Sequence, residues 1–202
     1  GVTVLVGKAV GAQDKAEAAR VVAGQLRLFT LLALGLTALT VALAPAAADW
    51  MNVPEASRAQ AVTYLRICGC GMIFVTAYNG ISGVFRGLGN SRSPLLFVAI
   101  ACAINVVLDL VFVAGLGLDA AGAALATVAA QAGSVAFSAL YLRRHPLPFT
   151  LSRASFRGWG PAGRIAALGT PIALQDFLVN LSFLMITSIV NQLGVAASAG
   201  IG

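Results

Sequence analysis

A carboxylate at Asp109 lies inside the apolar run Leu95-Leu96-Phe97-Val98-Ala99-Ile100 through Val113-Ala114, with Asn105 one helical turn before it. An ionisable group in such surroundings is expensive unless it handles ions or protons. Residues four apart share a helix face. Asn105 and Asp109 therefore sit together, as do Thr127 and Gln131, while Tyr78, Asn79 and Ser82 add polar groups to an earlier run. If these faces meet, they form a pocket of one carboxylate, neutral amide oxygens and hydroxyls. Such a set suits Na⁺, which takes hard oxygen ligands, with the carboxylate balancing its charge. It suits a proton as well, because low dielectric favours the neutral carboxylic acid. On the residues alone both remain open.

Each polar residue also has a structural use. Thr127 and Ser82 hydroxyls can bond to carbonyls of their own helices, and the amides of Asn79, Asn105 and Gln131 can join neighbouring helices. Asp109 shifts the balance toward function, since a carboxylate in a membrane needs a reason to be there. Asp176, after Gly169-Thr170-Pro171 and beside Gln175, is a second acid inside an apolar run. For it a functional role and a structural partner stay equally open.

The elements that must carry these residues are membrane helices. The 202 residues are 59% hydrophobic and 10% charged, where a soluble domain carries roughly 25% charged residues. Mean hydropathy is +0.90. Five runs, 26–48, 61–85, 94–115, 121–142 and 165–193, match the about 20 residues needed to cross the hydrocarbon layer. The pattern predicts an all-α polytopic membrane helix bundle with the lipid bilayer as its first partner. Residues 1–10 resemble the tail of a further span. Asp14 followed by Glu17 marks a helix start, because carboxylates there satisfy free amide groups.

The connections sort by charge. Lys8, Lys15, Arg20 and Arg27 cluster before the first full run, Arg86 and Arg92 flank Gly87-Leu88-Gly89-Asn90, and Arg143, Arg144, Arg153, Arg157 and Arg164 follow the fourth. The alternate connections carry Asp49, Glu55 and Asp119 with Arg58, and Arg66 sits just inside a run. Lysine and arginine bias sets orientation, so the basic loops are expected to face the cytoplasm of a cell inner membrane. Asp109 then lies about 22 Å from the cytoplasmic end of its helix, counting from Pro94. The connection 145–163 mixes Pro146, Pro148, Phe149, Leu151, Phe156 and Trp159 with arginines. It either lies along the headgroups or serves as a plain linker. In both cases it divides the first four full spans from the last.

Other chemistries find no support. The net charge of +6 is scattered between apolar runs without interleaved aromatics, so no nucleic-acid partner is expected. Cys68, Cys70 and Cys102 read as buried apolar thiols. There is no phosphate loop, zinc-type cluster or nucleophile with an adjacent base, and the lone His145 falls in a loop. Neither an enzyme nor a resident cofactor is expected. No secretory leader is recognisable at Gly1-Val2-Thr3-Val4. Both ends read as cut, so the chain is expected to be a piece of a longer protein.

Phe85-Arg86-Gly87-Leu88-Gly89-Asn90 at the end of one span and Asn105-Val106-Val107-Leu108-Asp109 in the next resemble the multidrug and toxic compound extrusion (MATE) transporters. The likeness is to their DNA-damage-inducible, DinF-like branch. It continues through Gly122-Ala123-Ala124-Leu125-Ala126-Thr127 to Gln131, with Gly11-Ala12-Gln13-Asp14 fitting the loop after the family's second helix. The resemblance covers essentially the whole chain. It implies a piece of a two-lobe fold: residues 1–143 from the amino lobe (end of helix two, helices three to six), 144–164 the cytoplasmic inter-lobe linker, and 165–202 helix seven. It further implies a monomeric antiporter exporting organic cations or other amphipathic compounds against H⁺ or Na⁺. Asp109, Asn105, Thr127 and the backbone at Ala123 would belong to the cation site, with Tyr78, Asn79, Gln131 and Asp176 toward the substrate cavity.

Two departures bear on this expectation. The family's first helix, which supplies another essential aspartate, is absent. Leu178-Val179-Asn180 also lacks the glutamate that a sister branch carries in helix seven. The second departure favours coupling in the amino lobe and leaves Asp176 without an assigned role. A lipid-linked oligosaccharide flippase of the same superfamily would need several basic residues in its cavity, and only Arg66 lies within a span. A non-transporting scaffold would instead close its buried polar groups into pairs.

Overall fold

The computed structural model describes residues 1–51 and 53–192. Helix α1 (Val2–Gly11) leads through a short turn into α2 (Lys15–Trp50). Then come α3 (Glu55–Gly87), α4 (Arg92–Asp109), a π-helical segment (Leu110–Gly115), α5 (Asp119–Arg144), a 3₁₀ turn (Arg153–Phe156) and α6 (Gly160–Gln192). Five of these helices are long and apolar enough to cross a membrane. All five expected spans are present, each flanked by polar turns; Leu193 and the rest of 193–202 lie outside the described residues.

Local signals set the boundaries. The Asp14 carboxylate accepts the Glu17 amide at 2.8 Å and so caps α2, as the Asp–Glu spacing suggested. Between α3 and α4 the chain turns at Gly89, whose φ is +79°, a left-handed conformation that side chains with a Cβ resist. Asn90 then caps α4: its Oδ1 accepts the Ser93 amide at 3.1 Å, and its Nδ2 donates to Ser93 Oγ at 2.8 Å. At the opposite end Arg58 grips both carboxylate oxygens of Asp49, at 2.6 and 2.9 Å, across the α2–α3 connection.

Packing follows membrane rather than aqueous rules. Leu31, Leu34, Leu39, Leu95 and Leu110 are exposed, whereas Ala18, Ala23, Ala33, Ala44, Ala124 and Ala126 are buried. Lipid solvates leucine as well as a protein interior does, so helices gain from small residues that let backbones approach. Gly24 shows this at the α2–α6 crossing, where an added Cβ would stand 2.8 Å from Pro161. Hydroxyls tie helices together: Thr37 Oγ1 donates to Gly69 O at 2.9 Å, and Ser134 Oγ donates to Phe97 O at 3.0 Å. The principal neighbours are α2 with α3, α3 with α5, and α4 with α5; α3 and α4, adjacent in sequence, touch little. Helix α5 thus packs against both and brings their polar faces toward one another.

The basic ends of the helices gather at one end of the bundle, around a core of Val2, Val6, Val21, Val22, Val84 and Ile165. Segment 145–159 folds back onto this end. Phe149 is 6% exposed and belongs to the same core. Arg27 donates to Gly158 O at 3.0 Å and lies 5.6 Å from the ring centroids of both Phe156 and Trp159. Glu17 pairs with Arg20 and Arg164, fastening α2 to the start of α6. The three cysteines are free, and the expectation of buried thiols is corrected: Cys70 and Cys102 are exposed and Cys68 is half-buried.

Candidate functional site

Helices α3, α4 and α5 enclose a cavity of about 140 Å³ lined by Tyr78, Val98, Ala101, Cys102, Asn105, Thr127, Ala130, Gln131 and Ser134. Four residues singled out by type and spacing, Tyr78, Asn105, Thr127 and Gln131, meet here. Their helices come together because α5 presents small residues: Ala124, Ala126, Ala130 and Ser134 are all buried. An added Cβ at Gly133 would stand 2.9 Å from Ile104 of α4.

The polar groups differ in how they are satisfied. The Tyr78 hydroxyl donates to Pro94 O at 3.3 Å, and Thr127 Oγ1 donates to Ala123 O at 3.0 Å within its own helix. Each oxygen keeps lone pairs for a ligand. The Nδ2 of Asn105 is buried and has no hydrogen-bond partner. A buried unpaired amide is costly, and the cavity beside this one has room for a partner. The volume holds about four waters at roughly 30 Å³ each. Turning the amide by 180° would offer Oδ1 instead, so the same side chain can serve water or a cation.

Asp109 is half-buried and ends α4. It lies one turn beyond Asn105, about 6 Å along the axis, and is not among the residues lining the cavity. No lysine or arginine among the described residues pairs with it. Tyr64 of α3 stands within electrostatic reach of its carboxylate. Directly after Asp109 the backbone changes to π-helical geometry, with Leu116 N bonding Val111 O five residues back at 2.9 Å. Such segments recur at functional sites. The apolar sequence Leu110-Val111-Phe112-Val113 gave no warning of it.

Asn79 and Asp176 do not join the cavity. Asn79 is exposed on α3 and donates Nδ2 to Val75 O at 2.8 Å. Asp176 is exposed on α6, where its backbone carbonyl accepts Asn180 Nδ2 at 2.7 Å. Conversely, Ser134 and Cys102 line the cavity and were not anticipated. Ser134 lies seven residues beyond Thr127, and Cys102 three before Asn105. Extending the two stripes by one turn each would have found them.

The MatE family model matches residues 1–111 of this chain. A probable multidrug resistance protein YpnP of Bacillus subtilis is 35% identical over 153 residues, covering 75% of this chain and 34% of the relative. The DNA damage-inducible protein F of Escherichia coli K12 is 30% identical over 200 residues, covering 95% of this chain and 42% of the relative. Among solved structures, a MATE family transporter of the MOP superfamily in its inward-facing conformation superposes with a TM-score of 0.85 at 22% identity. That match covers 98% of this chain and 45% of the other. The chain therefore spans less than half the length of these relatives. With its helical membrane fold and a family match over more than half its residues, the chain belongs to the MATE family of multidrug transporters, whose members are transporters rather than enzymes.

Proposed function

We propose that this chain is the ion-coupling part of an antiporter that exports organic cations or other amphipathic compounds against inward movement of H⁺ or Na⁺. In this reading Asp109 carries the exchangeable cation, with Asn105, Thr127 and the Ala123 carbonyl completing its shell. Tyr78, Asn79, Gln131 and Asp176 border the path of the exported molecule. The carrying observation is the unpartnered Asn105 amide in a cavity shared with Tyr78, Thr127 and Gln131, one turn from a carboxylate without a cationic partner. Polar groups serving only as helix glue would be closed into pairs, and this one is not.

The mechanism needs only charge and packing. With Asp109 ionised, its negative charge in low dielectric favours a conformation open to water or to a cation. Uptake of H⁺ or Na⁺ removes that charge and favours closer helix packing. The exported molecule must bind one of these two arrangements better, since coupling is the difference in affinity between states. Residues 1–143 would form the amino lobe, 144–164 the linker and 165–202 the start of the second lobe. The basic loops would face the cytoplasm, where eleven of the thirteen lysines and arginines (all but Arg58 and Arg66) gather, and the transporter would work as a monomer in the inner membrane.

The test is efflux by the full-length protein in vesicles with pH and Na⁺ gradients imposed separately. One gradient should drive export of a fluorescent organic cation, and Asp109→Asn should abolish that export at unchanged expression. Export that survives Asp109→Asn removes the carboxylate from the mechanism.

A further inference from the structure

A second cavity of about 230 Å³ lies between α2 and α3 near the basic end, closed by Leu142 of α5 and by Leu147 and Leu151 of the folded-back segment. It shares no lining residue with the Asn105 cavity. The two use different faces of α3: Thr76, Ala77 and Gly80 line this one, and Tyr78, about 100° further round the helix, the other. Its wall is apolar apart from Gln25, Thr30 and Thr76.

Those three groups have a common character. Gln25 is 3% exposed, yet its Oε1 has no hydrogen-bond partner. The amide has a shaped seat, since a Cβ at Gly80 would stand 2.5 Å from Gln25 Nε2. Thr30 and Thr76 have already spent their protons on Leu26 O and Met72 O, each at 2.7 Å. What the hydroxyls and Oε1 still offer is acceptor capacity. Phe29 and Phe85 contribute aromatic rings to the same wall, and ring faces attract cations. A dry apolar cavity of about 150 Å³ takes benzene; this one has room for a ring and a short chain besides.

We propose that this cavity binds a compact aromatic amine, with the ring among Phe29, Phe85 and the leucines and the N–H groups on Gln25 Oε1 and the threonine oxygens. The site is separate from the coupling site and does not depend on the export reading. Binding is measured without any gradient.

The test uses the full-length transporter in lipid nanodiscs and fluorinated 2-phenylethylamine, followed by fluorine NMR. Saturable binding is expected, and the ring-matched methyl ether, which has no donor, should bind at least tenfold more weakly. Gln25→Leu should reduce affinity for the amine at least tenfold while leaving the ether unaffected. Ala77→Phe, which fills the cavity, should remove binding of both, with thermal melting to verify folding. Unchanged amine affinity in both variants overturns the proposal. So does a cavity occupied by ordered water, a lipid chain or another segment of the transporter, with no displacement by the amine. Absence of saturable amine binding by the parent protein, with gradient-driven efflux intact, would refute this site and leave the export reading standing; Gln25-dependent binding without gradient-driven efflux would do the opposite.

Discussion

Replacing Asn105 by leucine separates a functional amide from a structural one by the sign of its effect on stability. The Nδ2 atom is buried without a partner, and leaving such a group unpaired costs roughly 1–3 kcal/mol. The cavity beside it, about 140 Å³, is large enough for water, which recovers part of that cost. A gain near the lower limit, about 1 kcal/mol, is therefore expected from Asn105→Leu. Leucine has as many side-chain heavy atoms as asparagine, and the empty volume beside Asn105 accommodates its bulkier methyl groups, so overpacking should be minor. If the amide were instead glue between helices, the same change would lose about 0.6 kcal/mol on average and up to about 1.7. The assay is reversible unfolding of the full-length transporter in mixed micelles of increasing SDS fraction, paired with gradient-driven efflux in vesicles. The expected result is equal or greater stability together with loss of coupled export. Destabilisation by about 0.6 kcal/mol or more would mean the amide has a structural partner. Preserved export would remove it from the cation shell.

Phe97 is 0% exposed and meets Phe85, Phe137 and Tyr141 edge-on, with centroids at 5.7, 5.9 and 5.5 Å. Phe97→Ala should cost about 3–5 kcal/mol, read as a lower melting temperature; a loss below about 1 kcal/mol would show that the cluster does not hold α4 on α5. Gly89 has φ +79° with nothing near its Cβ position. Gly89→Ala should therefore cost about 1–2 kcal/mol through backbone strain alone, and Gly89→Asn less. Equal melting of Gly89→Ala and the parent would refute the left-handed turn.

The bundle was legible because two periodicities agreed. Apolar runs set the spans, and alternation of basic with acidic connections set their order, so each helix was found with its ends extended by polar turns. At the site, spacing of four put Asn105 with Asp109 and Thr127 with Gln131; helix geometry brought Asn105, Thr127 and Gln131, with Tyr78, to one cavity, and left Asp109 outside its lining. What stayed hidden depends on backbone and on neighbours. The π-helical segment after Asp109 has the same apolar residues an α-helix would have, and only the hydrogen-bond register distinguishes them. Asn79 directly follows Tyr78, yet a helix turns each successive residue about 100° further, so Asn79 points away from the cavity and its amide donates to Val75 O. Gln25 was invisible for the opposite reason. It stands just before the first apolar span, between Gly24 and Leu26, with nothing in its spacing to mark it, until Gly80 of the next helix and Leu147 of the returning segment close over it. A one-dimensional pattern reports which face of a helix is polar. Whether that face ends in lipid, water or a cavity is decided by the helix that packs against it, and here α5 and segment 145–159 make that decision.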